Sequence, residues 1–162
     1  MKSTDTLTTL FKHNRWANLA LLESCAELTS EQLDATIIGT YGSIRDTLEH
    51  IVVAEKSYVS RITTGQRYQQ PENAPPMTIT EMIESAHATG SGLIEWAPKV
   101  QANETVQLVD WEGVSRDVPK TVILTQAINH ATEHRAQIMA TMTQLGIQPP
   151  DLDGWTYFLT AD

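Results

Sequence analysis

The 162 residues suffice for one domain with a proper core and are too few for two, so a single domain spanning 1–162 is expected. Against 11 basic residues stand 20 acidic ones, a net charge of -9 with no basic run on any helix face, which argues against nucleic acid and against an anionic membrane surface. The chain is 41% hydrophobic, yet no apolar run approaches the roughly 18 residues that span a bilayer. The opening Met1-Lys-Ser-Thr-Asp-Thr-Leu-Thr-Thr lacks the apolar centre of a signal peptide, and a cytoplasmic protein is expected.

Leu7, Leu10, Phe11, Asn14, Ala17, Leu21, Leu22, Cys25 and Leu28 recur at helical spacing and predict a first helix from about Thr6 to Leu28. Asn14 and Asn18 fall within its apolar stripe, where a polar side chain is either satisfied by a buried hydrogen bond or lines a pocket. Cys25 is the single cysteine and reads as a small core residue rather than a nucleophile. Trp16 points to the opposite side and needs a cover, either a loop or a second subunit. His13 is peripheral and expected to be solvated. After a connection over Thr29–Gly42, Ser43 with Asp46 three residues on caps a second helix that Gly65 closes. Its stripe is Ile44, Leu48, Ile51, Tyr58, Val59 and Ile62, with Glu55 in the middle and His50 to one side. A buried carboxylate is seldom left unpaired, so Glu55 is expected to pair with an arginine such as Arg135, or to support a metal-bound histidine.

Residues 66–77 are rich in Gln, Pro and Asn and read as a long crossover loop. Thr78 and Glu81 form a capping box for a third helix with the stripe Ile79, Met82, Ile83, Ala86, Gly90, Leu93 and Ile94, ending before Pro98. His87 lies at the edge of that stripe as a reserve ligand. Glu104–Asp110 and Val114–Val118 flank Trp111-Glu-Gly113 and predict a short β-hairpin with Gly113 supplying a positive φ. Pro119 is expected at the first position of a fourth helix, which Gly146 ends ahead of Pro149 and Pro150. The tail holds Trp155, Tyr157 and Phe158, expected to pack back on the rest. The fold class is therefore all-α, a four-helix bundle with one long crossover between helices two and three and a hairpin between helices three and four.

The fourth helix carries the chemistry. Leu124, Ala127, Ile128, Ala131, Ile138, Met142 and Leu145 make its apolar stripe, and His130 and His134 lie on the flank of it. Residues four apart stand one turn above each other, so the two imidazoles face one point. His50 is the best third ligand, and three neutral imidazoles with a vacant fourth position describe a reactive rather than a structural site. The plain alternative is two core-edge histidines hydrogen-bonded to neighbours. A ferritin-like di-iron site needs Glu three residues before each histidine, where this chain has Thr47, Ala127 and Ala131. A zincin needs Glu directly after the first histidine, where Ala131 stands. Nucleophile-elbow, P-loop and dinucleotide motifs are also absent, which leaves a mononuclear metal site.

The segments Asn14-Arg-Trp-Ala-Asn18, Leu48-Glu-His-Ile51 with Ala54-Glu55, and Asn129-His-Ala-Thr-Glu-His-Arg-Ala-Gln-Ile138 leading to Leu145-Gly146 and Pro149-Pro150 resemble the DinB-like (damage-inducible) family over nearly the whole chain. Its superfamily also holds bacillithiol S-transferases, mycothiol-dependent maleylpyruvate isomerases and the metal-binding domain of ergothioneine-synthesis enzymes. The resemblance implies that the family's metal ligands fall on His50, His130 and His134, with zinc, nickel or iron as the ion and homodimers common. It also implies a metal-dependent thiol S-transferase or related detoxifying enzyme, with a low-molecular-weight thiol as cosubstrate. A metal-binding stress protein or interaction bundle without catalysis is the alternative. Glu133 and Ala136 depart from the family, which often has histidine and glycine there. Asn14, Asn18 and Tyr58 are candidate substrate contacts that core packing explains equally well.

Overall fold

The computed structural model describes residues 5–109 and 112–161. The first long helix, α1 (Thr6–Ala26), begins where the Asp5 carboxylate accepts the Thr8 N–H. Thr29 and Gln32 close a reciprocal capping box around the single turn α2 (Ser30–Leu33), which hydropathy does not reveal because its one buried residue is Leu33. Helix α3 (Ile44–Thr64) starts at a Ser43/Asp46 capping box and stops at Gly65, whose φ of 76° is left-handed. Thr78 and Glu81 cap α4 (Ile79–Trp96), which tightens into a 3-10 turn at Ala97–Lys99. Then follow β1 (Thr105–Val109), β2 (Ser115–Pro119), α5 (Lys120–Gln144) and α6 (Gly154–Thr160).

The strands pair antiparallel from Thr105 opposite Pro119 to Val109 opposite Ser115. Gly113 has the positive φ expected of it, 78°, while Asp110 and Trp111 of the expected turn lie outside the described residues. Pro119 is the last residue of β2 and the N-cap of α5, not its first helical residue. Its φ of -57° suits a helix, but ψ of 135° keeps it extended to finish the pairing with Thr105.

The four long helices close a ring: α1 packs on α4 and α5, and α3 packs on the same two, so α1 and α3 face each other diagonally. Two apolar clusters fill the ring. Leu21, Leu22, Cys25, Leu48, Ile51, Met82, Ile138 and Met142 form one, and Phe11, Ile62, Leu93, Ala97, Ile123 and Leu124 the other. Between them every long helix gives a polar group to one buried network. Glu55 of α3 accepts from Asn14 Nδ2 (3.1 Å) and Asn18 Nδ2 (3.0 Å) of α1 and from the Thr89 hydroxyl of α4. Arg135 of α5 donates to Asn14 Oδ1 (2.9 Å) and Asn18 Oδ1 (2.6 Å). Glu55 and Arg135 are thus linked through two amides rather than paired directly, because the asparagines of α1 occupy the space between them. Burial pushes the Glu55 carboxyl up, against its hydrogen bonds and the Arg135 charge, and pushes the Arg135 guanidinium down to about 10.

Two expectations at the tail are refined. Tyr157 packs on Trp16 and His13, with ring centroids 5.5 Å apart in both pairs, so α6 is the cover that Trp16 needed. Trp155 and Phe158 remain exposed at 78% and 77%. Leu145, placed on the α5 stripe, is also exposed because the helix ends there and the turn through Gly146 carries the chain away. No helix among the described residues is long and apolar enough to cross a membrane.

Candidate metal centre

A helix turn brings His130 and His134 of α5 together, and the packing of α3 on α5 adds His50. The ring centroids form a nearly equilateral triangle: 4.7 Å for His50 to His130, 4.8 Å for His50 to His134 and 4.5 Å for His130 to His134. One nitrogen from each ring lies within 4.8 Å of the others, an arrangement that could hold a metal ion. His134 is buried, whereas His50 and His130 are half-buried, so the cluster opens to solvent on their side.

The rings are held by their neighbours and by each other. His134 Nδ1 lies 2.9 Å from Gln137 Oε1, and His130 Nε2 lies 2.9 Å from His50 Nε2. Tyr41, on the connection before α3, stacks on His50 at 4.0 Å between centroids and 17° between planes. Tyr58 meets His130 edge-on at 5.9 Å. Burial, reinforced by the neighbouring rings, holds His130 down to about 4. Burial also lowers His50, with His134 adding to it. Imidazoles that resist protonation keep the lone pairs a metal needs. Three imidazole nitrogens converging on one point could hold a metal ion; for zinc the Zn–N distance is about 2.0–2.1 Å.

The other histidines are elsewhere. His13 is half-buried, not solvated: its Nε2 donates to Leu152 O at 2.8 Å under the Tyr157 ring. No local periodicity points to this contact, because the partner carbonyl follows α5, on the approach to α6. His87 takes a hydrogen bond at 2.9 Å from Arg15 on the exposed α1/α4 surface and is no ligand of this cluster. Asn14 and Asn18, candidate substrate contacts, are spent on the core network at 1% and 5% exposure. Sequence reasoning missed Gln137 and Tyr41. Gln137 could have been found, since it stands three residues after His134 on the same face.

The whole described chain carries this arrangement, and residues 1–161 match the model of the DinB family. The chain belongs to the DinB family. It is 26% identical to Protein DinB of Bacillus subtilis (strain 168) over 163 residues, covering 93% of each. Two crystal structures share the DinB fold. A DinB-like protein from Bacillus subtilis superposes with a TM-score of 0.65 at 13% identity, covering 92% of this chain and 99% of that one. A DinB-like protein from Bacillus cereus ATCC 10987 superposes at 0.61 with 20% identity, covering 86% and 91%.

Proposed function

We propose that this DinB protein binds one divalent ion, zinc, nickel or iron, through His50, His130 and His134, and uses it for transfer of a low-molecular-weight thiol to an electrophile. The observation that carries the reading is the convergence of the three imidazoles, two of them open to solvent. An ion bound by neutral ligands would keep most of its charge and so lower the pKa of a thiol in the open position. The protein's own part is positional. The cleft beside His50, lined by Tyr41, Glu49, Val53 and Gln70, admits the thiol's substituents. The stacked Tyr41 ring excludes water from one face of His50. In the transfer the thiol loses its proton to solvent, sulfur forms the new bond to the electrophilic carbon, and the leaving group departs with the old bonding pair.

Elemental analysis of protein purified without an affinity tag tests the first half: about one ion per chain in the wild type, none in His50→Ala. A panel of thiols with model electrophiles tests the second half. Metal-dependent turnover abolished by His50→Ala supports the transferase. A loaded protein inert across the panel leaves a metal-binding protein without catalysis, the alternative reading. Homodimerisation belongs to the same proposal. It is supported by the apolar ridge of α6, where Trp155, Phe158 and Leu159 are 78%, 77% and 78% exposed at i, i+3 and i+4 spacing.

A further inference from the structure

Gln137 Oε1 has two neighbours, the backbone N–H of Tyr41 at 3.1 Å and Nδ1 of His134 at 2.9 Å. A backbone N–H can only donate. The amide atom facing it is therefore the carbonyl oxygen, because the opposite flip would set two donors against each other. The same oxygen faces Nδ1, which must then carry the proton. His134 is thereby held as the Nδ1–H tautomer, with the Nε2 lone pair left for the cluster. The second bond acts on another ring. It pins Tyr41, two residues after the left-handed Gly39 (φ 93°), and the Tyr41 ring lies flat on His50 and edge-on to His134 at 5.4 Å.

We infer that Gln137 is a positioning residue for the triad, setting the tautomer of His134 and, through Tyr41, the ring of His50, before any ion arrives. The purpose of this device and the zinc arm of its test rest on the metal reading, but the tautomer arm does not. Imidazole ¹⁵N correlation spectra of the metal-free protein should show His134 as the Nδ1–H tautomer. Gln137→Leu should mix the tautomers, shift the Tyr41 and His50 ring resonances, and weaken Zn²⁺ binding, titrated against a chromophoric chelator, about 10- to 100-fold. Gln137→Glu keeps an acceptor oxygen in place and should restore the tautomer and at least the wild-type zinc affinity. Circular dichroism establishes that each variant folds, and if the leucine variant does not, the wild-type and glutamate spectra decide the question. An Nε2–H tautomer in the wild type, an unchanged Gln137→Leu, or a Gln137→Glu that fails to restore the tautomer would overturn the inference. Wild-type protein that binds neither zinc, nickel nor iron yet shows the expected tautomers would remove the metal reading and leave the positioning role standing.

Discussion

His130 is the ring most strongly held neutral, at about 4 against an ordinary 6.5. Between those values the unfolded chain binds a proton that the native state refuses, so stability rises with pH across the window. Metal-free protein should therefore melt highest above pH 6.5, lose stability as pH falls, and gain no further loss from His130 below about pH 4. Melting temperatures across that range test this, and His130→Asn, which cannot be protonated, should flatten the curve. Cys25 lies in the core, and burial pushes its thiol up to about 12. It should resist a disulfide reagent at pH 8 in the native protein and react promptly in denaturant. Arg135 also depends on its surroundings: it balances Glu55 through Asn14 and Asn18. Arg135→Ala leaves that carboxylate buried without its counter-charge and should cost about 3–5 kcal/mol in urea unfolding.

Among the elements, α1 and α4 approach closely where Arg15 crosses Gly90. A Cβ built at Gly90 would lie 2.6 Å from Arg15 Cγ and 2.8 Å from its Cβ, the stem of the side chain rather than its movable end. Alanine gains about 1 kcal/mol of helix propensity over glycine, yet Gly90→Ala should still destabilise, by about 1–3 kcal/mol for an overpacked contact. Gly154, with nothing within 4 Å, is the control that should not. Long elements were legible because their ends are written locally: Ser43 with Asp46 and Gly65 bound α3, and Thr78 with Glu81 opens α4. The His130/His134 face was legible because a helix turn is local, and His50 was already the best third ligand from its place beside the stripe of the second helix, before the family motif was seen. What lay hidden depends on distant partners. Tyr41 reaches Gln137 across 96 positions, and Leu152 reaches His13 across 139, so no periodicity reports either contact. The indirect link between Glu55 and Arg135 was half legible. Both charges could be placed on inner faces, but the two amides between them follow only from the diagonal placement of α1 and α3.

For the molecule as a whole, the apolar clusters exclude all three histidines of the triad, so the ring of helices should hold without metal. A chelator should lower the melting temperature by mass action while helicity before melting stays unchanged, and His130→Ala should remove the chelator's effect. If the α6 ridge joins two copies, Trp155→Asp should shift sedimentation from dimer to monomer without altering the circular dichroism spectrum. The central network has a consequence for how the chain finds one arrangement. Each amide of α1 turns its oxygen to the arginine and its nitrogen to the carboxylate, so the helix is keyed in rotation and in height. Sliding α1 by one turn brings either Asn18 to the level of Asn14 with Leu22 in the place of Asn18, or Asn14 to the level of Asn18 with Leu10 in the place of Asn14, leaving one rung of the ladder without a partner. A purely oily interior would tolerate that slip. Asn14→Leu combined with Asn18→Leu should therefore retain helicity while its amide spectrum broadens into several interconverting forms, the signature of a lock with its pins removed.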